Sequence, residues 1–205
     1  DVHRRTAAEV FGIAPENVSS EQRRYAKTIN FGLIYGMGQY GLAKSLGIDN
    51  LSAKNFIDRY FARYPGVAEY MQRTKEQAAA QGFVETLFGR RLYLPDIRNK
   101  NANARAGAER AAINAPMQGT ASDLIKRAMI DVSHWLSKCE ASPWDCLKSK
   151  LIMQVHDELV LEVPEAELDL VKEKLPQIMA KVDEGMLKVP LVAEVGVGMN
   201  WEEAH

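Results

Sequence analysis

Cysteine is scarce in this sequence, with two residues in 205, Cys139 and Cys146. Two are too few for a disulfide scaffold, and their spacing lacks the paired pattern of a structural zinc site. They are expected to be reduced cytosolic thiols. Long apolar runs are missing as well. No stretch approaches the roughly 20 residues of a membrane-spanning helix, and Leu159–Val163 is interrupted by Glu162. The opening Asp1-Val2-His3-Arg4-Arg5 has no apolar segment of the kind a secretory signal carries. There are no internal repeats and no low-complexity tracts. Common catalytic signatures are absent: no Gly-x-Ser-x-Gly, no Walker A loop, no His-Glu-x-x-His. Gly36-x-Gly38-x-x-Gly41 matches the form of a dinucleotide fingerprint. It follows a helix rather than a strand, which excludes that role.

What remains is an ordinary globular composition, 46% hydrophobic and 26% charged, enough for a sizeable core. The net charge of −1 argues for no particular partner, but its distribution is uneven. Residues 1–127 carry 19 basic against 12 acidic side chains, and residues 128–205 carry 7 against 15. A basic region that meets an anion, joined to an acidic one, would give this swing; so would charge scattered over solvated helix faces.

Ser19-Ser20-Glu21-Gln22 has the form of a capping box and predicts a helix from there to about Tyr35. Gly36, Gly38 and Gly41 break it. A short helix is expected at Leu42–Leu46, and another capped by Ser52 and ended by Pro65-Gly66, with Phe56, Ile57, Tyr60, Phe61 and Tyr64 at helical spacing. A further helix should run over Val67–Gln81. Phe83–Leu87 and Arg91–Leu94 read as a β-hairpin. Helices at Arg105–Ala115, ending at Pro116, and at Ala121–Lys138, capped by Thr120, should follow. Cys139–Ser149 reads as a loop, Leu151–Val155 and Glu158–Val163 as two strands, Glu165–Val182 as a helix opened by Pro164, and Leu191–Val197 as a last strand. Helices first, then strands mixed with helices, predict an α+β fold rather than a doubly wound parallel sheet.

Three sets of residues could carry chemistry. Arg23, Lys27, Phe31 and Tyr35 are spaced four apart, which sets two cations and two rings along one helix face. Spacing alone leaves two readings open: a polyphosphate over the cations with a base and sugar over the rings, or an amphipathic helix with the rings in the core. Arg110, Asn114 and Gln118 repeat the spacing, and suit either minor-groove contacts or ordinary capping near Pro116. His156-Asp157-Glu158 falls in a turn between apolar strands. A carboxylate pair held there could bind Mg²⁺, which takes oxygen ligands and keeps several waters; a plain polar turn would look the same.

Together these segments resemble family A DNA polymerases. Arg23-Arg-Tyr-Ala-Lys27-Thr-Ile-Asn-Phe31-Gly-Leu-Ile-Tyr35-Gly36 is similar to the fingers-helix motif of that family, and Gln154-Val-His156-Asp157-Glu158 to its third motif. Ala112-Ile-Asn114-Ala-Pro-Met-Gln118-Gly-Thr resembles the segment between them, and Asn200-Trp-Glu-Glu-Ala-His205 the carboxyl end of bacterial members. The resemblance covers the whole chain in order. It implies a helical fingers region over residues 1–120, with a small hairpin near 83–94, and part of an antiparallel-sheet palm with flanking helices over 121–205. It implies that His3, Arg23 and Lys27 lie at the triphosphate of a dNTP, that Phe31 stacks near sugar and base and influences dideoxy acceptance, and that Tyr35 borders the nascent pair. Arg110, Asn114, Gln118 and His156 would touch primer or template. Asp157 would hold metal, with Glu158 beside it. The implied reaction adds dNMP to a primer 3′-hydroxyl, releases pyrophosphate and uses two Mg²⁺ ions. The implied catalytic residues are Asp157, Glu158 and Lys27. The implied partners are primer-template DNA, dNTPs and the remainder of a parent polymerase chain, in the cytoplasm at the nucleoid and away from any membrane. The family's first aspartate motif is not found in these residues, so the chain reads as a fragment that is inactive alone. A non-catalytic nucleotide- or nucleic-acid-binding module is the alternative. A Mg²⁺-dependent nuclease built on Asp157 and Glu158 is weaker, because it leaves the stripe from Arg23 to Tyr35 without a task.

Overall fold

The computed structural model describes residues 1–138 and 146–204. The chain divides into two compact units, one formed by residues 1–84 and 91–115 and the other by residues 85–90 and 116–205.

The first unit is helical. Helix α1 (Val2–Phe11) starts at Asp1, whose Oδ1 accepts from the backbone N–H groups of His3 and Arg4, and ends at Gly12 in the left-handed conformation. This helix lies outside those expected from the sequence, although an acidic cap and a stop glycine mark its two ends. Helix α2 (Ser20–Ile34) begins with the expected capping box: Ser19 Oγ accepts from Gln22 N and Gln22 Oε1 accepts from Ser19 N. Helices α3 (Gln39–Leu46), α4 (Asn50–Arg63) and α5 (Pro65–Gln81) follow. The cap of α4 is Asp49, not Ser52. Ser52 lies inside the first turn and donates both its N–H and its hydroxyl to Asp49, because a carboxylate offers more acceptor sites at a helix start. Pro65 opens α5, where its missing N–H costs nothing.

The core of this unit centres on Ile29, Leu33, Leu42, Ala53, Phe56 and Tyr60. Each fully buried large aliphatic contributes about 1.5–3 kcal/mol. A second cluster sets Ala78, Val84, Leu94 and Ile97 against Ala108 and Ala112. Strands β1 (Phe83–Glu85) and β2 (Arg91–Tyr93) form the expected hairpin.

Helix α6 (Ala102–Ser137) runs through Pro116 without interruption, so the expected break there is not made. Proline removes one helical donor but does not end a helix that neighbouring groups support. Thr120, expected as an N-cap, sits mid-helix. Its hydroxyl donates to the Pro116 carbonyl at 2.5 Å and accepts from Leu87 N at 2.9 Å.

In the second unit β3 (Lys150–Val155) pairs antiparallel with β4 (Glu158–Glu162), in the register Leu151↔Leu161, Gln154↔Leu159 and Val155↔Glu158, with an irregularity between Leu151 and Met153. A short 3₁₀ turn at Glu165–Glu167 precedes α7 (Leu168–Met179), where one helix over Glu165–Val182 had been expected. Val132, Leu136, Val171 and Leu175 form the core that the hairpin covers. The expected strand at 191–197 is not formed, and Val192 is 74% exposed. A strand needs a partner for its backbone groups, and this segment has none among the described residues. The chain closes with α8 (Trp201–Ala204). Cys146 is disulfide-bonded, which corrects the expectation of a reduced thiol there, because a count of cysteines says nothing of what each one meets in space; Cys139 lies outside the described residues. The loop Cys139–Ser149 lies largely outside the described residues. Among the described residues no helix is long and apolar enough to cross a membrane.

Candidate nucleotide and duplex interface

Helix α2 buries Ala26, Ile29, Asn30 and Leu33. These positions recur at helical spacing and fix which face meets the core. Arg23, Lys27, Phe31 and Tyr35 therefore fall on another face. Lys27 is exposed and Phe31 is 39% exposed, so Phe31 is not a core ring. Lys27 Nζ lies 5.9 Å from the Phe31 ring centroid, and the Phe31 and Tyr35 rings lie 5.9 Å apart. The stripe is thus a continuous cation-to-ring surface.

Helix α1 adds to it. The His3 ring lies 5.7 Å from Phe31, tilted by 44°. Burial first, then the charges of Arg23 and Lys27, lower the His3 pKa below 6.5, which favours the neutral ring at pH 7. His3 Nδ1 lies 2.9 Å from Asn30 Nδ2. Asn30 is fully buried and also accepts from Thr6 Oγ1 at 3.0 Å. Arg23 Nε donates to Asp1 Oδ2 at 2.6 Å. Neither Asp1, Thr6 nor Asn30 had been singled out by the sequence reading. Asn30 carries the one visible signal, a polar residue at core spacing in an apolar helix face.

Of the second predicted set, Arg110 and Asn114 lie in the first unit. Gly36 takes a φ of 83°, and a Cβ there would come within 3.2 Å of Arg110 Cγ. The bare glycine therefore lets the α2 terminus and the Arg110 stem lie in contact. Arg110 is exposed beyond that stem. Asn114 Oδ1 is buried with no hydrogen-bond partner among the described residues. Gln118, the third of the set, is exposed and belongs to the second unit.

The second unit holds His156, Asp157 and Glu158 at the β3–β4 turn. The two-residue connection follows from the Val155↔Glu158 pairing. His156 adopts a φ of 50°, and its carbonyl accepts from Gln154 Nε2 at 2.6 Å. His156 and Asp157 are exposed. Glu158 is half-buried and accepts from Trp201 Nε1 at 3.3 Å. No group of three or more potential metal ligands occurs among the described residues. Two adjacent carboxylates, Asp157 in the turn and Glu158 at the start of β4, still suit Mg²⁺, which is commonly bound through one or two carboxylates plus substrate phosphates and water.

The family model for DNA polymerase family A matches residues 1–203. The chain is 60% identical over all 205 residues to DNA polymerase I of Pseudomonas aeruginosa, and 43% identical over 204 residues to DNA polymerase I of Geobacillus stearothermophilus. In each case it spans 22% of the relative's length. Its backbone superposes with a TM-score of 0.89 on the polymerase domain of Pol1 from M. smegmatis, solved with DNA primer-template and dNTP, at 39% identity over all of this chain and 35% of that one. The chain belongs to DNA polymerase family A, and its α+β fold is that of part of a polymerase domain.

Proposed function

We propose that these residues are the fingers and the closing part of the palm of a template-directed DNA polymerase, and that they select the incoming dNTP and hold the primer terminus. The observation that carries the reading is the row of Arg23, Lys27, Phe31 and Tyr35 along α2, away from its core positions and with Lys27 and Phe31 exposed, which His3 of α1 joins at the Phe31 ring. Its support is a match over the whole of this chain to part of DNA polymerase I relatives and to part of a domain solved with primer-template and dNTP.

Residue roles follow from chemistry. Arg23 and Lys27 neutralise the β- and γ-phosphates and stabilise charge that grows on the leaving pyrophosphate. Phe31 offers a face to sugar and base, and Tyr35 closes the row beside the nascent pair. Arg110, Asn114 and Gln118 contact the duplex, and His156 the primer end. The primer 3′-oxygen bonds to the α-phosphorus, the bond to the bridging oxygen of the β-phosphate breaks, and the 3′-hydroxyl proton passes to solvent. Asp157, with Glu158 beside it, would hold Mg²⁺, which supplies activation of the attacking oxygen and charge compensation at the leaving one. The remaining metal-binding carboxylate would come from outside these residues.

Primer extension tests the reading. The full-length polymerase containing these residues should extend a primer with dNTPs and Mg²⁺, and Asp157→Asn should abolish extension while primer-template affinity is retained. The 205-residue chain alone should not extend. Extension by the Asp157→Asn enzyme at wild-type rate would remove this carboxylate from the reaction. Binding of DNA and dNTP with no extension by the full-length protein would instead support a non-catalytic module.

A further inference from the structure

We propose that Asn30, braced by Thr6, is a positioning residue that fixes His3 as the Nε2–H tautomer, so that the ring offers a donor and not a lone pair to the phosphates of the incoming nucleotide. The proposal rests on the reading of His3, Arg23 and Lys27 as the triphosphate site.

Asn30 is the one polar residue among the four that α2 buries, and it is 1% exposed. A leucine would fill that core position without needing partners, whereas a buried amide is costly unless both its ends are satisfied. Both ends are. Thr6, itself 3% exposed, is a turn along α1, and its Oγ1 lies 3.0 Å from both Val2 O and Asn30 Oδ1, within donating distance of each. A hydroxyl donor on Oδ1 directs the amide so that Nδ2 faces His3 Nδ1, at 2.9 Å. An amide NH₂ can only donate. The facing nitrogen must therefore carry a lone pair, and in a neutral ring the single hydrogen then sits on Nε2. Nε2 lies across the ring from this contact, away from the buried amide. The choice of tautomer matters because burial and the charges of Arg23 and Lys27 keep the ring neutral. A neutral ring of the other tautomer would turn an acceptor toward phosphate oxygens and repel them.

The test uses the full-length polymerase and five variants: His3→Ala, Asn30→Leu, Thr6→Val, Thr6→Ser, and the double variant His3→Ala/Asn30→Leu. Single-nucleotide incorporation gives KM for dNTP and kcat separately, and ¹⁵N histidine spectra report the tautomer. Thr6→Val keeps the shape and loses the hydroxyl, and Thr6→Ser restores it, so this pair stands even if Asn30→Leu folds poorly. The wild-type spectrum is expected to show Nε2–H. Asn30→Leu and Thr6→Val are expected to mix the tautomers and to raise KM for dNTP roughly 3- to 10-fold, the effect of one hydrogen bond, with primer-template affinity unchanged. Thr6→Ser is expected to match wild type. The double variant is expected to be no worse than His3→Ala, since both changes remove one interaction. If His3→Ala leaves KM unchanged, the ring does not meet the phosphates, and both the phosphate-site role of His3 and this proposal fall. If His3→Ala raises KM while Asn30→Leu and Thr6→Val leave it and the tautomer unchanged, the phosphate site stands and the positioning role is overturned. Effects that add in the double variant overturn it as well.

Discussion

Arg23 Nε donates to Asp1 Oδ2 at 2.6 Å, and the same carboxylate caps α1 through its other oxygen. The first cation of the stripe is thus already paired, with a side chain that also starts the helix bearing His3. If Arg23 meets the triphosphate as proposed, the nucleotide competes with Asp1 for one guanidinium. Asp1→Asn keeps a good helix cap but removes the charge. It is expected to lower KM for dNTP about two- to fivefold at low salt, the scale of one partly exposed ion pair, and less at high salt. Asp1→Ala loses the cap too, and is expected to reduce stability by about 0.5–2 kcal/mol. Steady-state kinetics at two ionic strengths, with a melting curve for each variant, separate the two effects. No change in KM for Asp1→Asn would mean that Arg23 does not meet the nucleotide.

Lys27 has no carboxylate partner among the described residues and lies over the Phe31 ring. In the full-length enzyme Lys27→Ala is expected to cost roughly tenfold to a hundredfold in kcat/KM for dNTP, the value of a charge-assisted phosphate contact, with little change in DNA affinity. Phe31→Tyr keeps the ring and adds a hydroxyl, so if the ring faces the sugar as proposed, dideoxynucleotides should compete better against dNTPs. Because Phe31 is exposed, neither change should move the melting temperature by more than a degree or two. A loss of stability with unchanged nucleotide kinetics would place these side chains in packing and not at substrate.

Much of this site was legible in the sequence, because the signals involved are local. The capping box at Ser19 and Gln22 set the phase of α2, and the four-residue spacing then placed the stripe. The β3–β4 hairpin was equally plain, from two apolar runs around a polar pair. What the sequence hid was set by distant partners. Pro116 looks like a helix end, yet α6 passes through it, with the Thr120 hydroxyl bonded to the Pro116 carbonyl and to Leu87 N from the turn near β1. Residues 191–197 alternate like a strand, but pairing decides strands and none is available among the described residues. Asn30 stands out in the sequence as a polar residue at core spacing, but its partners Thr6 and His3 are set by the packing of α1 on α2 and show only in the structure.

Glu167 shows how the second unit holds its first strand. Its carboxylate accepts from Lys148 N at 2.8 Å, Ser149 N at 2.9 Å and Ser149 Oγ at 2.5 Å. Burial pushes this carboxyl up, but the Ser149 hydroxyl and the two backbone donors outweigh it and hold the pKa below 4.5. A carboxyl with a lowered folded pKa stabilises fully above its unfolded value and loses that contribution as pH falls through the folded one. Glu167→Gln should therefore destabilise by about 1–3 kcal/mol near neutral pH, from weakened hydrogen bonds to buried donors. The gap to wild type should close as pH falls through the lowered folded pKa of Glu167. Urea melts of both proteins at several pH values provide the check, and a gap that widens in acid would contradict this account.

His156 combines a backbone demand with a proposed contact, and the two can be separated. Its φ of 50° lies in the left-handed region, which β-branched residues avoid and which asparagine and glycine accept. The demand comes from the two-residue turn that the Val155↔Glu158 pairing imposes. Gln154 Nε2 secures the conformation through the His156 carbonyl, which any residue supplies. His156→Asn and His156→Gly should therefore leave the hairpin intact. For glycine, strain relief and the added freedom of the unfolded chain, each about 1 kcal/mol, largely cancel. His156→Val should destabilise by about 1–2 kcal/mol and displace Asp157, which follows it directly. If the imidazole touches the primer terminus, His156→Gly should weaken primer-template binding or slow extension at unchanged stability, whereas His156→Val should lose both activity and stability. Melting curves, primer-template titrations and extension rates for the three variants make the comparison. Full activity in His156→Gly would leave His156 with a turn-forming role alone, and the placing of Asp157 would then depend on the backbone and not on the ring.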